Sequence, residues 1–242
     1  MIELMGAMIE VTRRCNLRCE HCLRGDTQPV DLDPRMFKLF LDKLALNVER
    51  IYTVTITGGE PFLVPEIILE CIEIIREHEI KVDRLWVSTN GLITDNDVQD
   101  AVLAILRYNI ETGEDTYPGI KISSDQFHEP LNNEEKAWWS VFSGVEIEDE
   151  RYLKEEYIIP EGRGKNVSEM DKPLFGVPTR LDIEDDETFE GDVYLNVKGN
   201  VSIGCNFSYE TQDIIPHLPA PEFTLEKLVE MFNNRAKTSV PA

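Results

Sequence analysis

An apolar, β-branched run without polar alternation, IYTVTIT at Ile51–Thr57, reads as a strand buried on both faces, and such strands belong to parallel sheets covered on each side. The runs around it repeat the theme. Ala7–Thr12 is a short apolar strand, Arg84–Thr89 (RLWVST) a third strand and Ile120–Ser124 a fourth. Between them apolar residues fall at helical spacing: Phe37, Phe40, Leu41 and Leu44, then Ile67, Ile68, Cys71, Ile74 and Ile75, then Val98, Val102, Ile105 and Leu106. Asp33-Pro34 supplies a capping side chain and a proline at the first helical position. Asp95 caps the third helix, and Asn132 precedes a helix carrying Trp138, Trp139 and Phe142. Four such units predict right-handed βαβ crossovers and a parallel sheet. The expected fold is α/β, a partial (β/α)6 barrel of TIM type with a short C-terminal β-hairpin and helix.

The hairpin is read from DVYLNVKGNVSIG, Asp192–Gly204, two alternating runs around Lys198-Gly199-Asn200. Thr224 then caps a last helix with Leu225, Leu228, Val229 and Phe232 inward. The acidic stretch from Ser143 to Glu190 carries one apolar strand around Tyr157–Ile159. We divide the chain into a core barrel at 1–165 and an extension at 166–242 that completes the barrel and adds the hairpin and final helix.

A net charge of −22, from 46 acidic against 24 basic residues, weighs against a large RNA or DNA substrate, because phosphate contacts demand a basic footprint. No run of 18 apolar residues predicts a membrane span. The N-terminus, MIELMGAMIEVTRRC, lacks the basic and long apolar regions of a signal peptide and reads as a first strand. A cytoplasmic protein is expected. Five cysteines are an odd number, with three inside eight residues. That clustering points to metal rather than to a disulfide framework.

Those three are Cys15, Cys19 and Cys22, spaced C-x3-C-x2-C just after the first strand. A 4Fe-4S cluster usually takes four thiolates, so three on one loop leave one iron open for chemistry. A structural zinc site is the alternative, but zinc normally wants a fourth ligand, and His21 is too close in sequence to supply it comfortably. The second signal is TGGEP, Thr57 to Pro61, at the end of the second strand, where two glycines let backbone approach a ligand closely. Chemistry in such barrels sits at the C-terminal ends of strands, where both motifs fall.

Together these motifs resemble the radical S-adenosylmethionine (SAM) superfamily over roughly residues 5 to 165. The residue before the third cysteine, aromatic in most relatives, is His21 here, and the resemblance implies that it contacts the cofactor. The resemblance implies an enzyme with a single 4Fe-4S cluster on Cys15, Cys19 and Cys22. Its open iron is chelated by SAM, which is cleaved reductively to a 5′-deoxyadenosyl radical that abstracts hydrogen from a substrate. It further implies that Gly58, Gly59 and Glu60 contact the cofactor's amino group, and that Ser88 and Asn90 in STNG add polar contacts, with an ordinary Asn-Gly turn the alternative. Ser124 and Asp125 in ISSDQFH are expected at the ribose, with a capping role the alternative. Arg163, in the PEGRGK segment of several peptide-modifying relatives, is expected either at the cofactor carboxylate or as a surface arginine. His128 is a candidate for substrate or proton-transfer work or a structural histidine. Cys205, in GNVSIGC, resembles the start of a SPASM-type extension, but no cysteine follows it to complete a second cluster; it is read as a substrate contact or a vestige. Cys71 is read as core, as is the Trp138-Trp139 pair.

A peptide or protein side chain is the first expected substrate and a small molecule or nucleotide the second. A non-catalytic Fe–S or metal-binding protein is a third reading. An enzyme of this kind needs an external electron donor such as flavodoxin or ferredoxin.

Overall fold

The computed structural model describes residues 1–114, 117–147, 154–169 and 188–238. Strand β1 (Ile2–Thr12) buries Leu4, Ala7, Ile9 and Val11, and it runs between two parallel neighbours. The chain continues through α1 (Pro34–Leu44), β2 (Val48–Gly58), α2 (Pro65–Glu77), β3 (Lys81–Thr89), α3 (Asn96–Thr112), β4 (Ile120–Ile122), α4 (Asn133–Trp139) and β5 (Val145–Ile147). After the acidic stretch come β6 (Thr188–Leu195), β7 (Asn200–Ile203), α5 (Tyr209–Gln212), β8 (Leu218–Pro219) and α6 (Leu225–Thr238).

The sheet order is β5-β4-β3-β2-β1-β6-β7-β8. Six strands, β1 to β6, run parallel, and β7 and β8 are added antiparallel. This is the expected six-stranded parallel sheet with an appended hairpin. Its turn is made by Gly199 at φ +75, a left-handed conformation that costs glycine little.

Local chemistry sets the helix starts. The Asp33 carboxylate accepts the Arg35 amide at 3.0 Å with Pro34 in the first turn. The Asp95 carboxylate accepts the Val98 amide at 2.9 Å, and Asn132 and Glu135 form a reciprocal capping box. Helix α1 buries Phe37, Phe40, Leu41 and Leu44. The ring of Phe40 stacks 5.6 Å from Phe223, just ahead of α6, so the C-terminal helix covers the same core as α1. Cys71 is buried on α2, and Trp139 is buried with its indole N–H donating to the Gly91 carbonyl at 2.7 Å. No described helix is long and apolar enough to cross a membrane.

Two expectations fail locally. Tyr157–Ile159 is not a strand: Glu155–Tyr157 is a single 3-10 turn. Ile158 is nonetheless buried, with its carbonyl taken by the Ser168 hydroxyl. One apolar anchor under a loop imitates a short strand in sequence. Conversely β5, with only the three residues Val145–Ile147, was too short to announce itself. Among the described residues it is a sheet edge paired with β4 alone.

Candidate active site

The loops after β1, β2, β3 and β4 meet at one end of the sheet. Beyond Thr12 the chain leaves β1, but its backbone pairing with β2 continues: the Gly59 amide donates to the Thr12 carbonyl and the Glu60 amide to the Arg14 carbonyl, each at 2.8 Å. This contact explains the two glycines. A Cβ on Gly58 would fall on the Thr12 carbonyl, and one on Gly59 would fall on the Arg14 carbonyl and 3.1 Å from Cys15 Cβ. Their bareness serves the approach of the cysteine loop itself.

Cys15, Cys19 and Cys22 are free and half-buried. They line one cavity of about 130 Å³ together with Glu60, Ser88 and Asn90. A shallower groove of about 430 Å³, formed by Arg18, Glu20, Gln126, Phe127 and Glu129, shares Leu17 and Cys19 with it. Burial pushes the Cys15 thiol up and, with the neighbouring cysteines adding to it, the Cys19 thiol up to about 11. The Arg163 charge lowers both thiols but does not outweigh burial, and three clustered thiols suit a cationic metal group that would take them as thiolates. Among the described residues the trio close enough to share a single ion is His21, Asp125 and His128.

Glu60 is 1% exposed and takes three donors. Its Oε1 accepts the Thr89 hydroxyl at 2.7 Å and the Phe62 amide at 3.1 Å, and its Oε2 accepts the Asn90 amide at 2.9 Å. Burial pushes its carboxyl up, against the lowering effect of those donors. Asn90 donates from its side chain to Asn16 Oδ1 at 2.8 Å, which joins the β3 loop to the cysteine loop. Ser88 faces Ser123, with their hydroxyls 3.4 Å apart.

Position by position, the cavity differs from the expected ribose contacts. Ser123 lines it and Ser124 does not. Strand β4 stops at Ile122, and successive side chains there point to opposite sides. Asp125 is also not among the lining residues; it turns to two imidazoles, with His128 Nδ1 at 2.9 Å and His21 Nε2 at 3.7 Å. Burial raises its carboxyl, but His128 and the Phe127 amide outweigh that and hold it below the ordinary carboxylate range. Burial also holds the His21 imidazole below its usual value, against Asp125.

Arg163 lies behind the cysteine loop and outside the cavity. Its Nε donates to the Cys19 carbonyl at 3.0 Å and its Nη1 meets Asp26 at 3.1 Å. Its own amide donates to the Cys22 carbonyl at 2.9 Å. It is not a free surface arginine. It clamps the loop that carries the cysteines. Cys205 sits beside Asp192 and Asn206, where burial and the Asp192 charge push its thiol up to about 11.

A buried polar web, unforeseen from sequence, holds the C-terminal segment against this loop. Glu10 and Arg13 are both 0% exposed and pair at 3.0 Å. Arg13 also donates to Gln28 and Gln212, while Glu10 accepts from Tyr194 and the Val197 amide. Arg24 donates to the carbonyls of Cys205 and Phe207, both at 2.8 Å. The available signal was TRRC itself, charges placed directly after an apolar strand in a chain short of basic residues.

A model of the radical SAM superfamily matches residues 9–172. The chain is 27% identical over 150 residues to molybdenum cofactor biosynthesis protein 1 of Drosophila melanogaster, covering 57% of this chain and 23% of that protein. It is 33% identical over 112 residues to a GTP 3′,8-cyclase of Campylobacter jejuni, covering 43% of this chain and 34% of that one. The chain thus spans about a third or less of these curated relatives. Among solved structures, BtrN in complex with AdoMet and 2-DOIA superposes with a TM-score of 0.58 at 15% identity, covering 98% of this chain and 88% of that one. At that identity the likeness is one of fold.

Proposed function

This chain belongs to the radical SAM superfamily, whose members use a 4Fe-4S cluster and SAM, and from that premise we propose that it is a radical SAM enzyme acting on a small molecule or nucleotide. The observation that carries the reading is the single cavity into which Cys15, Cys19 and Cys22 open beside Glu60, Ser88, Asn90 and Ser123. Cys15, Cys19 and Cys22 would hold the cluster as thiolates, and a bound cluster would supply the electron for reductive cleavage of SAM to a 5′-deoxyadenosyl radical, chemistry that the protein orients.

The chain's own residues do the positioning. Glu60 braces the ends of β2 and β3 around the site and keeps the GGEP backbone, Gly58 to Pro61, against the cysteine loop. Ser88, Asn90 and Ser123 offer hydroxyl and amide groups to the cofactor's polar atoms. Arg163 clamps the Cys19–Cys22 end of the cysteine loop from behind, and Arg24, just past Cys22, ties that end to the carbonyls of Cys205 and Phe207. The close pairing of loop and glycines fixes the cysteine loop against the end of β2.

The choice of substrate class follows the relatives, GTP 3′,8-cyclases among them. The two segments that suggested a peptide are engaged elsewhere: the arginine of PEGRGK clamps the cysteine loop, and the cysteine of GNVSIGC packs beside Asp192. In this reading the electron comes from an external donor such as flavodoxin or ferredoxin. The test is to compare 5′-deoxyadenosine formation by the anaerobic, cluster-loaded enzyme with nucleotides, other small metabolites and peptides. Stimulation or product formation with a nucleotide or metabolite supports the reading, and stimulation by peptides alone overturns it.

A further inference from the structure

Beside the cysteine cavity, two imidazoles converge on one carboxylate. Residues 125–128 fold into a tight turn, in which Asp125 Oδ1 accepts the Phe127 amide at 2.9 Å and the Asp125 carbonyl accepts the His128 amide at 3.1 Å. The turn brings His128 Nδ1 to 2.9 Å from Asp125 Oδ1. From the cysteine loop, His21 directs Nε2 to 3.7 Å from Asp125 Oδ2, and its ring is steadied by stacking on Phe127 at 4.8 Å. The three side chains are 14–18% exposed, so the group is largely shielded from water.

Hydrogen bonding leaves this cluster incomplete. Among the described residues, Nδ1 of His21 and Nδ1 of His128 are buried without a hydrogen-bond partner. The 2.9 Å approach of His128 to Asp125 is close but out of line, and the 3.7 Å approach of His21 is too long. Buried polar atoms in that state call for an explanation, an absent ion among them. One donor atom from each residue falls within 4.8 Å of the others. Ligands bound at about 2.0–2.2 Å to one ion lie roughly 3.0–3.5 Å apart, so small side-chain rotations complete the set.

We propose that His21, Asp125 and His128 form a site for one divalent first-row transition metal ion, separate from the three cysteines. Two imidazoles and a carboxylate suit zinc, iron(II), cobalt(II) or manganese(II). Three protein ligands leave at least one coordination position open, the pattern of sites that take an exogenous ligand. His21 and His128 both line the cysteine cavity, so an oxygen or nitrogen donor of a molecule bound there completes the coordination sphere. Nothing in this site depends on the 4Fe-4S cluster, and the two can be tested apart.

The experiment is equilibrium dialysis of the full-length, anaerobically cluster-loaded protein against micromolar zinc, with zinc and iron per chain read by mass spectrometry. The expected result is one zinc per chain beyond the iron. Asp125→Asn and His128→Gln should each weaken zinc binding by at least about tenfold while leaving iron content and the thermal melt unchanged. His128→Cys should retain it, because a thiolate replaces the imidazole as a ligand. The combined Cys15→Ser, Cys19→Ser, Cys22→Ser variant, without a cluster, should still bind one zinc. Absence of bound zinc from the folded protein overturns the proposal. So does zinc binding that survives Asp125→Asn and His128→Gln, or that disappears with the cysteines alone.

Discussion

The buried carboxylate of Glu60 accepts the backbone amide of Asn90 at 2.9 Å, which locks the end of β2 to the end of β3 beside the cysteines. Glu60→Gln keeps the shape but turns an N–H₂ group either toward the Asn90 amide or toward the Thr89 hydroxyl and Phe62 amide. Hydrogen bonds to a charged group are worth about 1.5–3 kcal/mol, so denaturant unfolding of the variant should show a loss of that order. Unchanged stability would mean that the carboxylate is not held as described.

Gly59 abuts the Arg14 carbonyl so closely that a methyl group has no room unless backbone moves. Gly59→Ala should displace the cysteine loop and cost about 1–3 kcal/mol, as overpacking does. Iron retained after reconstitution, per folded chain, is the measurement, and it should fall severalfold. Full iron loading would show that the close approach is dispensable.

Arg163 donates to the Cys19 carbonyl, so Arg163→Ala should make the bound iron more labile to a chelator. SAM affinity of the fully loaded variant should change little. The opposite pattern, normal iron lability with weakened SAM binding, would return Arg163 to the cofactor carboxylate.

Asp213 bridges Arg13 at 3.3 Å and Lys198 at 2.7 Å. Burial raises its carboxyl, but Lys198 and Arg13 outweigh that and hold it below the ordinary value. A depressed folded value means stability that is present above the unfolded value near about 3.9 and lost as pH falls through the folded one. Asp213→Asn should therefore flatten the acid limb of the stability profile below about pH 4. At neutral pH it should cost about 1 kcal/mol, discounted for partial exposure. An unaltered acid limb would assign the pH dependence elsewhere.

Much of the fold is written in local pattern. Phe37, Phe40, Leu41 and Leu44 face inward because 3.6-residue spacing leaves no other option, and Asp33, Asp95 and Asn132 mark helix starts by side-chain chemistry. The hairpin at Gly199 was equally plain. What sequence could not show are contacts between distant segments. Glu10 and Arg13 look like surface charges until Tyr194 and Gln212 close around them. Arg163 reaches the cysteine loop from 144 residues away. Ser123 and Ser124 differ only in which side of a strand end they occupy, and a three-residue β4 leaves that phase unreadable in advance. Tyr157–Ile159 imitated a strand because one buried isoleucine under a loop has the same local composition.

The most direct test of the central claim is anaerobic. The cluster is reconstituted, dithionite and SAM are added, and 5′-deoxyadenosine is quantified by mass-resolved chromatography, alone and with candidate nucleotides and metabolites. The account predicts 5′-deoxyadenosine from the wild-type chain and none from Cys15→Ala, Cys19→Ala or Cys22→Ala. A chain that binds zinc at those cysteines in place of iron, or a fully loaded cluster that never cleaves SAM with any substrate offered, would contradict it.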